Sequence, residues 1–202
     1  MADVFEMRAD LATWRERLWQ LISETPWLDW LLLTKRPQNI ESMVPWTRTW
    51  PDNVWLGTTV EDQIRAAERL PLLLKHKAKM RFLSCEPLVG AVDLSYWIGN
   101  SRDHSLYPID WVIAGGESGP SARPMLPRWA RTLRDQCHAG GIPFHFKQWG
   151  HWAPTEQITK STSVKTFRDT AAGEEILMEA KGKKHAGRRL DGITWDELPK
   201  TL

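Results

Sequence analysis

Five short apolar runs, each emptying into a polar or glycine-rich segment at its carboxyl end, constrain the fold of this chain more than any other feature. Trp30-Leu31-Leu32-Leu33 runs into Thr34-Lys35-Arg36-Pro37, Val54-Trp55-Leu56 into Gly57-Thr58-Thr59-Val60-Glu61, and Arg81-Phe82-Leu83 into Ser84-Cys85-Glu86-Pro87. Trp111-Val112-Ile113-Ala114 runs into Gly115-Gly116-Glu117-Ser118-Gly119-Pro120, and Phe144-His145-Phe146 into Lys147-Gln148-Trp149-Gly150. Each run is long enough for one buried strand. The expected strand starts, near residues 29, 53, 80, 110 and 143, lie about 24 to 33 residues apart. That is the length of a strand plus a crossover helix, so the pattern predicts parallel strands in an α/β protein.

Helical patterns fill the gaps. Leu11, Trp14, Leu18, Leu21 and Ile22 share one face of a helix that Pro26 ends, and a short helix is expected over 38–43. A further helix is expected over 61–69 with Ile64, Ala67 and Leu70 inward, after which Pro71 opens a separate helical segment through His76. Residues 94–108, with Gly99-Asn100-Ser101 and Pro108, read as an exposed irregular insert. Pro127 suits a first helical position; Leu126, Ala130, Leu133 and Cys137 form a stripe that Gly140-Gly141 terminates, and Arg128, Arg131 and Arg134 read as a solvated face.

The fold class expected is therefore α/β, a partial (β/α) barrel of about five parallel strands over 1–152. Residues 153–202 form a small basic appendage packed on it, with a hairpin near 166–178 and a turn at Asp191-Gly192. A length of 202 residues with 42% hydrophobic content supports one sizeable core. The net charge of +2 argues against a chain built mainly to bind polyanions. Cys85 and Cys137 have no metal-ligand spacing and read as reduced packing thiols, so no metal site is expected. Without an apolar run of membrane length or a signal peptide, the expected location is the cytoplasm, with no membrane partner. Most of the thirteen tryptophans are expected in packed helix-sheet interfaces.

Ligands of parallel α/β folds meet the carboxyl ends of the strands, which here gather Lys35, Arg36, Glu61, Glu86, Glu117, Ser118, Arg123, Lys147 and Gln148. Glu86, Glu117 and Lys147 are the candidates for acid-base work. The alternative for the glutamates is ion-pairing with Lys35, Arg36 or Lys147, favoured for Glu61. Lys35 and Arg36 could grip a phosphate or carboxylate, or form a rim salt bridge. Gly115-Gly116 suits a close backbone approach to a ligand without matching the GxGxxG pattern. Trp149 either stacks on a base or, as the favoured reading, closes the barrel as a buried indole. Lys181, Lys183, Lys184, His185, Arg188 and Arg189 form the strong basic cluster, a solvated tail or a nucleic-acid contact.

With those residues in view, the chain resembles the radical S-adenosylmethionine-like proteins of phages and bacterial genomes, a group with partial TIM-barrel folds and no settled reaction. The phrases that carry the resemblance are MADVFE, LLLTKRP, NVWLGTTVED, RFLSCEPLVG, DWVIAGGESGPSARPM, FHFKQWG and GRRLDGITWDELP. For the intact family the resemblance implies S-adenosylmethionine and a [4Fe-4S] cluster held by a three-cysteine loop near the amino terminus, and this chain carries no such loop. It further implies a cofactor-facing mouth at Thr34, Lys35, Thr58, Ser84, Gly115, Gly116, Glu117 and Ser118, with Arg36, Arg123, Gln148 and Trp149 toward substrate. On this reading the chain begins just after the second barrel strand, which explains its abrupt opening at 1–6. The gene is then truncated, its missing part is a separate polypeptide, or the scaffold has been kept without the cluster.

Three functions follow as expectations. The leading one is a radical S-adenosylmethionine-like barrel, of a family implied to modify or repair a substrate such as nucleic acid, without its own cluster loop. The second is a non-catalytic module for nucleotides or nucleic acid, using the mouth and the basic tail. The third is a cluster-independent hydrolase or lyase with Glu86 or Glu117 as base. A partner, either a companion chain or a second copy, is expected at the open sheet edge beside the Trp30 strand.

Overall fold

The computed structural model describes residues 3–46, 49–98, 108–155 and 163–200. Each apolar run forms a strand: β1 Trp30–Thr34, β2 Val54–Thr59, β3 Met80–Cys85, β4 Trp111–Gly115 and β5 Phe144–Gln148. They build one sheet in the order β1-β2-β3-β4-β5, with every neighbouring pair parallel. Helix α1 (Ala12–Glu24) precedes β1, and α2 (Ile40–Met43) follows it after a turn of 3-10 helix. Helix α3 (Gln63–Leu73) joins β2 to β3, and α4 (Pro127–Ala139) joins β4 to β5. This is the α/β class and the partial (β/α) barrel order that the spacing predicts.

Strand alternation sorts the side chains into two layers. Leu32, Val54, Leu56, Leu83, Val112, Phe144 and Phe146 join the inward residues of the helices in the main core. The residues between them, Trp55, Phe82 and Trp111 with Met80 and Ile113, form a separate aromatic cluster on the opposite face.

Helical faces are less predictable than strands, and several differ from expectation. In α1 only Trp19 and Ile22 are buried, while Trp14 is 73% exposed. The helix is turned so that Trp19 Nε1 can donate to the Met43 carbonyl at 3.1 Å. In α3 the inward residues are Ala66, Leu70 and Leu73, and Ile64 is 63% exposed. The helix also runs through Pro71 without a break. Asp62 caps its start by accepting from Arg65 N at 2.9 Å, and Leu74 N still reaches the Leu70 carbonyl, so the one hydrogen bond lost at Pro71 does not end it. The described start of the 94–108 insert is only partly exposed: Ser95 and Tyr96 face solvent, whereas Leu94 is fully buried and Trp97 and Ile98 lie against the core. Gly99-Asn100-Ser101 lie outside the described residues.

The arginine face of α4 is not a free solvated face. Arg128 pairs with Asp169 at 2.5 Å, and Arg131 and Arg134 both pair with Asp191 at 2.7 Å, tying the helix to the carboxyl-terminal part of the chain. There, β6 (Trp152–Pro154), β7 (Val164–Asp169) and β8 (Glu174–Ala180) form an antiparallel sheet in the order β6-β8-β7. Strands β9 (Arg189–Leu190) and β10 (Ile193–Thr194) pair about Asp191 and Gly192, whose φ values of 55° and 76° are those a two-residue hairpin loop demands.

The chain then returns to the main sheet, where Phe146 N donates to the Trp195 carbonyl at 2.9 Å and His145 bridges to Asp196. The β5 edge is thereby covered. At the opposite edge β1 has no strand beyond it among the described residues, and Leu31 and Leu33 are 47% and 40% exposed. Among the described residues no helix is long and apolar enough to cross a membrane.

Candidate functional site

Because the five strands run the same way, the residues that follow them gather on one side of the sheet, and opposite charges meet there. Lys35 Nζ, just past β1, lies 2.6 Å from Glu61 Oε1, just past β2. Glu61 also accepts from Arg69 of α3 at 2.7 Å, and Arg69 donates in addition to the Thr59 carbonyl. Beyond β3, Glu86 Oε2 accepts from Lys147 Nζ at 2.9 Å, so a bridge spans from β3 to β5 over the end of β4. Ser84 Oγ is a longer 3.4 Å from Glu86 Oε1.

The glycines after β4 allow this crowding. A Cβ on Gly115 would stand 3.1 Å from Glu86 Oε2, so a side chain there would press the carboxylate to shift by a few tenths of an ångström. A Cβ on Gly116 would overlap the Trp149 carbonyl. Glu117 turns outward and takes the Arg123 guanidinium in two parallel bonds of 2.9 Å, and the Arg123 backbone N–H at 2.8 Å. Glu61 and Asp62 also bias Arg123 toward its charged form, which places that pair within electrostatic reach of the Lys35 cluster.

Exposure divides the roles in these pairs. The side chains of Lys35 and Lys147 are 52% and 53% exposed, whereas those of Glu61 and Glu86 are 14% and 18% exposed. The carboxylates are held in place and the ammonium groups face solvent. Burial pushes the Glu61 carboxyl up, but the Lys35 hydrogen bond and the Arg69 charge outweigh it and hold it below the usual range. Glu117 is drawn down to about 2 by its side-chain bonds to Arg123.

The structure thus brings together Lys35, Glu61, Ser84, Glu86, Gly115, Glu117, Arg123 and Lys147. Other candidates have different duties. Thr58 Oγ1 donates to the Thr34 carbonyl at 2.8 Å and Thr34 Oγ1 to Asp3 at 2.9 Å, and both threonines are buried. They tie β2 to β1 and β1 to the amino-terminal segment. Arg36 turns to Asp3 and Glu6, and Ser118 is exposed on the turn. Gly116 N donates to the Gln148 carbonyl at 2.9 Å, and the Gln148 side chain is half-buried. Trp149 is 5% exposed, packs edge-on against Phe146 and donates through Nε1 to the Arg189 carbonyl, so it seals the barrel against the appendage. In the basic tail, Lys181 pairs with Glu179 and Arg188 with Asp196, leaving Lys183 and Lys184 without an ion pair among the described residues.

Expectation erred on one partner and overlooked three residues. The cation of Glu117 is Arg123, not Lys35, Arg36 or Lys147, because the 116–123 turn folds back on itself. Asp3 and Arg69 act from neighbouring segments, which spacing does not reveal. His145 was legible: in Phe144-His145-Phe146-Lys147 the phenylalanines go to the main core, so His145 and Lys147 share the other face. Its Nδ1 is buried without a hydrogen-bond partner and stands 3.9 Å from Asp196 Oδ1. Burial, with help from Arg188, lowers its pKa.

The two groups that the resemblance implies differ in how well they suit these residues. A four-iron cluster needs three protein thiolates and the chain has two cysteines. Both are fully buried, burial holds the Cys85 thiol well above its usual range, and the Cys137 thiol is pushed up to about 12. Among the described residues no three His, Cys, Asp or Glu side chains are grouped to hold a metal. These residues do not fit the cluster. The amino-acid end of S-adenosylmethionine carries an ammonium and a carboxylate, the same kinds of group as the paired charges of the mouth.

A family model described as a protein of unknown function (DUF5131) matches residues 1–199. No curated protein and no solved structure matches the chain.

Proposed function

The chain belongs to the DUF5131 family, and we propose that its strand-end mouth binds a zwitterionic small molecule of the S-adenosylmethionine class. The observation that carries this reading is the pair of Lys–Glu bridges, Lys35–Glu61 and Lys147–Glu86, standing at the ends of β1, β2, β3 and β5, the second of them beside Gly115. A ligand carrying one positive and one negative group can exchange into such bridges without leaving a charge unpaired. Lys147 or Lys35 would take the ligand carboxylate, and Glu86 or Glu61 its ammonium. Bound S-adenosylmethionine supplies an activated carbon next to its sulfonium. Radical cleavage calls for thiolates that these residues do not provide, so the role we assign to this chain is binding and orientation.

Isothermal titration with S-adenosylmethionine, S-adenosylhomocysteine and methionine tests the proposal. Both adenosyl ligands are expected to bind, and Lys147→Met and Glu86→Gln are each expected to weaken binding about tenfold, the scale of one charge-assisted hydrogen bond. Absence of heat with both adenosyl ligands, or affinities indifferent to both substitutions, would exclude it.

A further inference from the structure

At the end of the sheet opposite the mouth, just ahead of β2 and β3, lies a cavity of about 360 Å³ lined by Trp46, Trp50, Lys75, His76, Lys77 and Glu41. We infer that it is a second binding site, independent of the mouth, for a nucleobase carrying a phosphate. Its volume falls within the range of about 300–1,000 Å³ usual for small-molecule sites.

The indoles are the first ground for this. Among the described residues the five buried tryptophans direct their N–H to a protein acceptor, Trp19 to Met43, Trp55 to Asp29, Trp111 to Glu197, Trp149 to Arg189 and Trp152 to Ala122, while half-buried Trp97 keeps a buried Nε1 without one. Trp46 and Trp50 are only half-buried, and neither Nε1 has a protein partner among the described residues. Their rings are 5.4 Å apart at 50°, with Trp19 buttressing Trp46 at 5.0 Å and His76 meeting Trp50 at 5.7 Å. They form a tilted pair of ring faces beside the cavity. A base would stack on a face turned to the cavity rather than between the two rings.

Charge is the second ground. Lys75 and Lys77 follow the carboxyl end of α3, where cations offset the helix dipole. That preference does not place two indoles facing them. Neither lysine is ion-paired among the described residues, and Glu41 is the lone carboxylate of the lining. The surplus of positive charge selects an anion, and the ring faces select a flat one. A nucleotide has both properties, with Glu41 placed to accept from an exocyclic amine or a ribose hydroxyl. Free nucleotides and single-stranded nucleic acid share this chemistry.

Calorimetry with AMP and adenosine, and anisotropy of a short labelled oligothymidylate, test the inference. AMP is expected to bind at least about tenfold more tightly than adenosine, through its phosphate. Trp50→Leu, and separately Lys75→Glu with Lys77→Glu, should each weaken AMP binding by about tenfold or more. The exposed-residue control Trp14→Leu should bind like the parent, and Trp50→Leu should leave S-adenosylmethionine binding unchanged, which separates this site from the mouth. If the oligonucleotide also binds, with a salt dependence that flattens in the double lysine variant, the natural ligand is a polynucleotide; if AMP alone binds, it is a free nucleotide. The double lysine change is on exposed residues and keeps the test valid should Trp50→Leu fail to fold. Failure of AMP and the oligonucleotide to bind, or undiminished binding in the double lysine variant, would overturn the inference.

Discussion

Gly116 and Gly150 pack backbone against backbone: a side chain on Gly116 would overlap the Trp149 carbonyl, and one on Gly150 would overlap the carbonyl of Glu117. Their contact sets the height at which the 115–118 turn stands over the sheet. Gly150 also has a φ of 86°, a conformation that L side chains rarely adopt. Gly150→Ala is therefore expected to cost roughly 2–4 kcal/mol of stability, from strain and overlap together. Chemical denaturation reads this, and a loss of less than about 1 kcal/mol would show that the two segments can part easily.

At the other end of the sheet, Arg81 is 6% exposed and holds Asp110 at 2.6 Å, while also donating to the carbonyls of Pro108 and Ala78. Asp110→Ala would leave that buried guanidinium without its carboxylate counter-charge. The expected cost is about 3 kcal/mol, seen as a lowered urea midpoint with an unchanged slope.

Acid should act on the Glu117 turn within a defined window. The folded carboxyl, at about 2, lies below its ordinary value of 4.5 because Arg123 bonds its charged form. Its contribution to stability is therefore complete above pH 4.5 and is lost as pH falls toward 2. Melting temperatures of the parent and of Glu117→Gln should converge across that interval from the neutral side. A difference that stays constant down to the acid limit would show that the pair contributes nothing in solution.

Cys85 and Cys137 are fully buried, and burial disfavours both thiolates. Since the thiolate is the reacting species, native protein should react with Ellman's reagent only at the rate of unfolding. Both thiols should appear promptly in denaturant. Rapid labelling of either in the native protein would contradict the packing described.

The strands were legible in the sequence because a buried parallel strand is a local object, an apolar run with polar punctuation at its end. The main crossover helices were legible in place but not in orientation, and the break expected at Pro71 did not occur. Ile64 and Trp14 look like core residues, yet the sheet lies under Ala66, Leu70, Trp19 and Ile22, and no periodicity states which part of a broad apolar face will be covered. The site followed the same division. Lys35–Glu61 and Lys147–Glu86 were within reach of the strand-end rule, whereas Arg69, Asp3 and the arginine clamp of α4 depend on chain crossings between distant segments. Trp46 and Trp50 were lost among thirteen tryptophans, since an indole reveals its duty only through what its N–H finds.

The asymmetry of the main sheet bears on how the chain can be handled. Its β5 side is occupied by the returning Trp195 segment, while among the described residues no strand lies beyond β1, beside Leu31 and Leu33. A ladder left unfinished on one flank is a template for any extended strand that meets it. Crowded or slowly refolding preparations would then stick through that flank first, and a lysine at Leu31 or Leu33 would be the simplest way to keep the molecules apart.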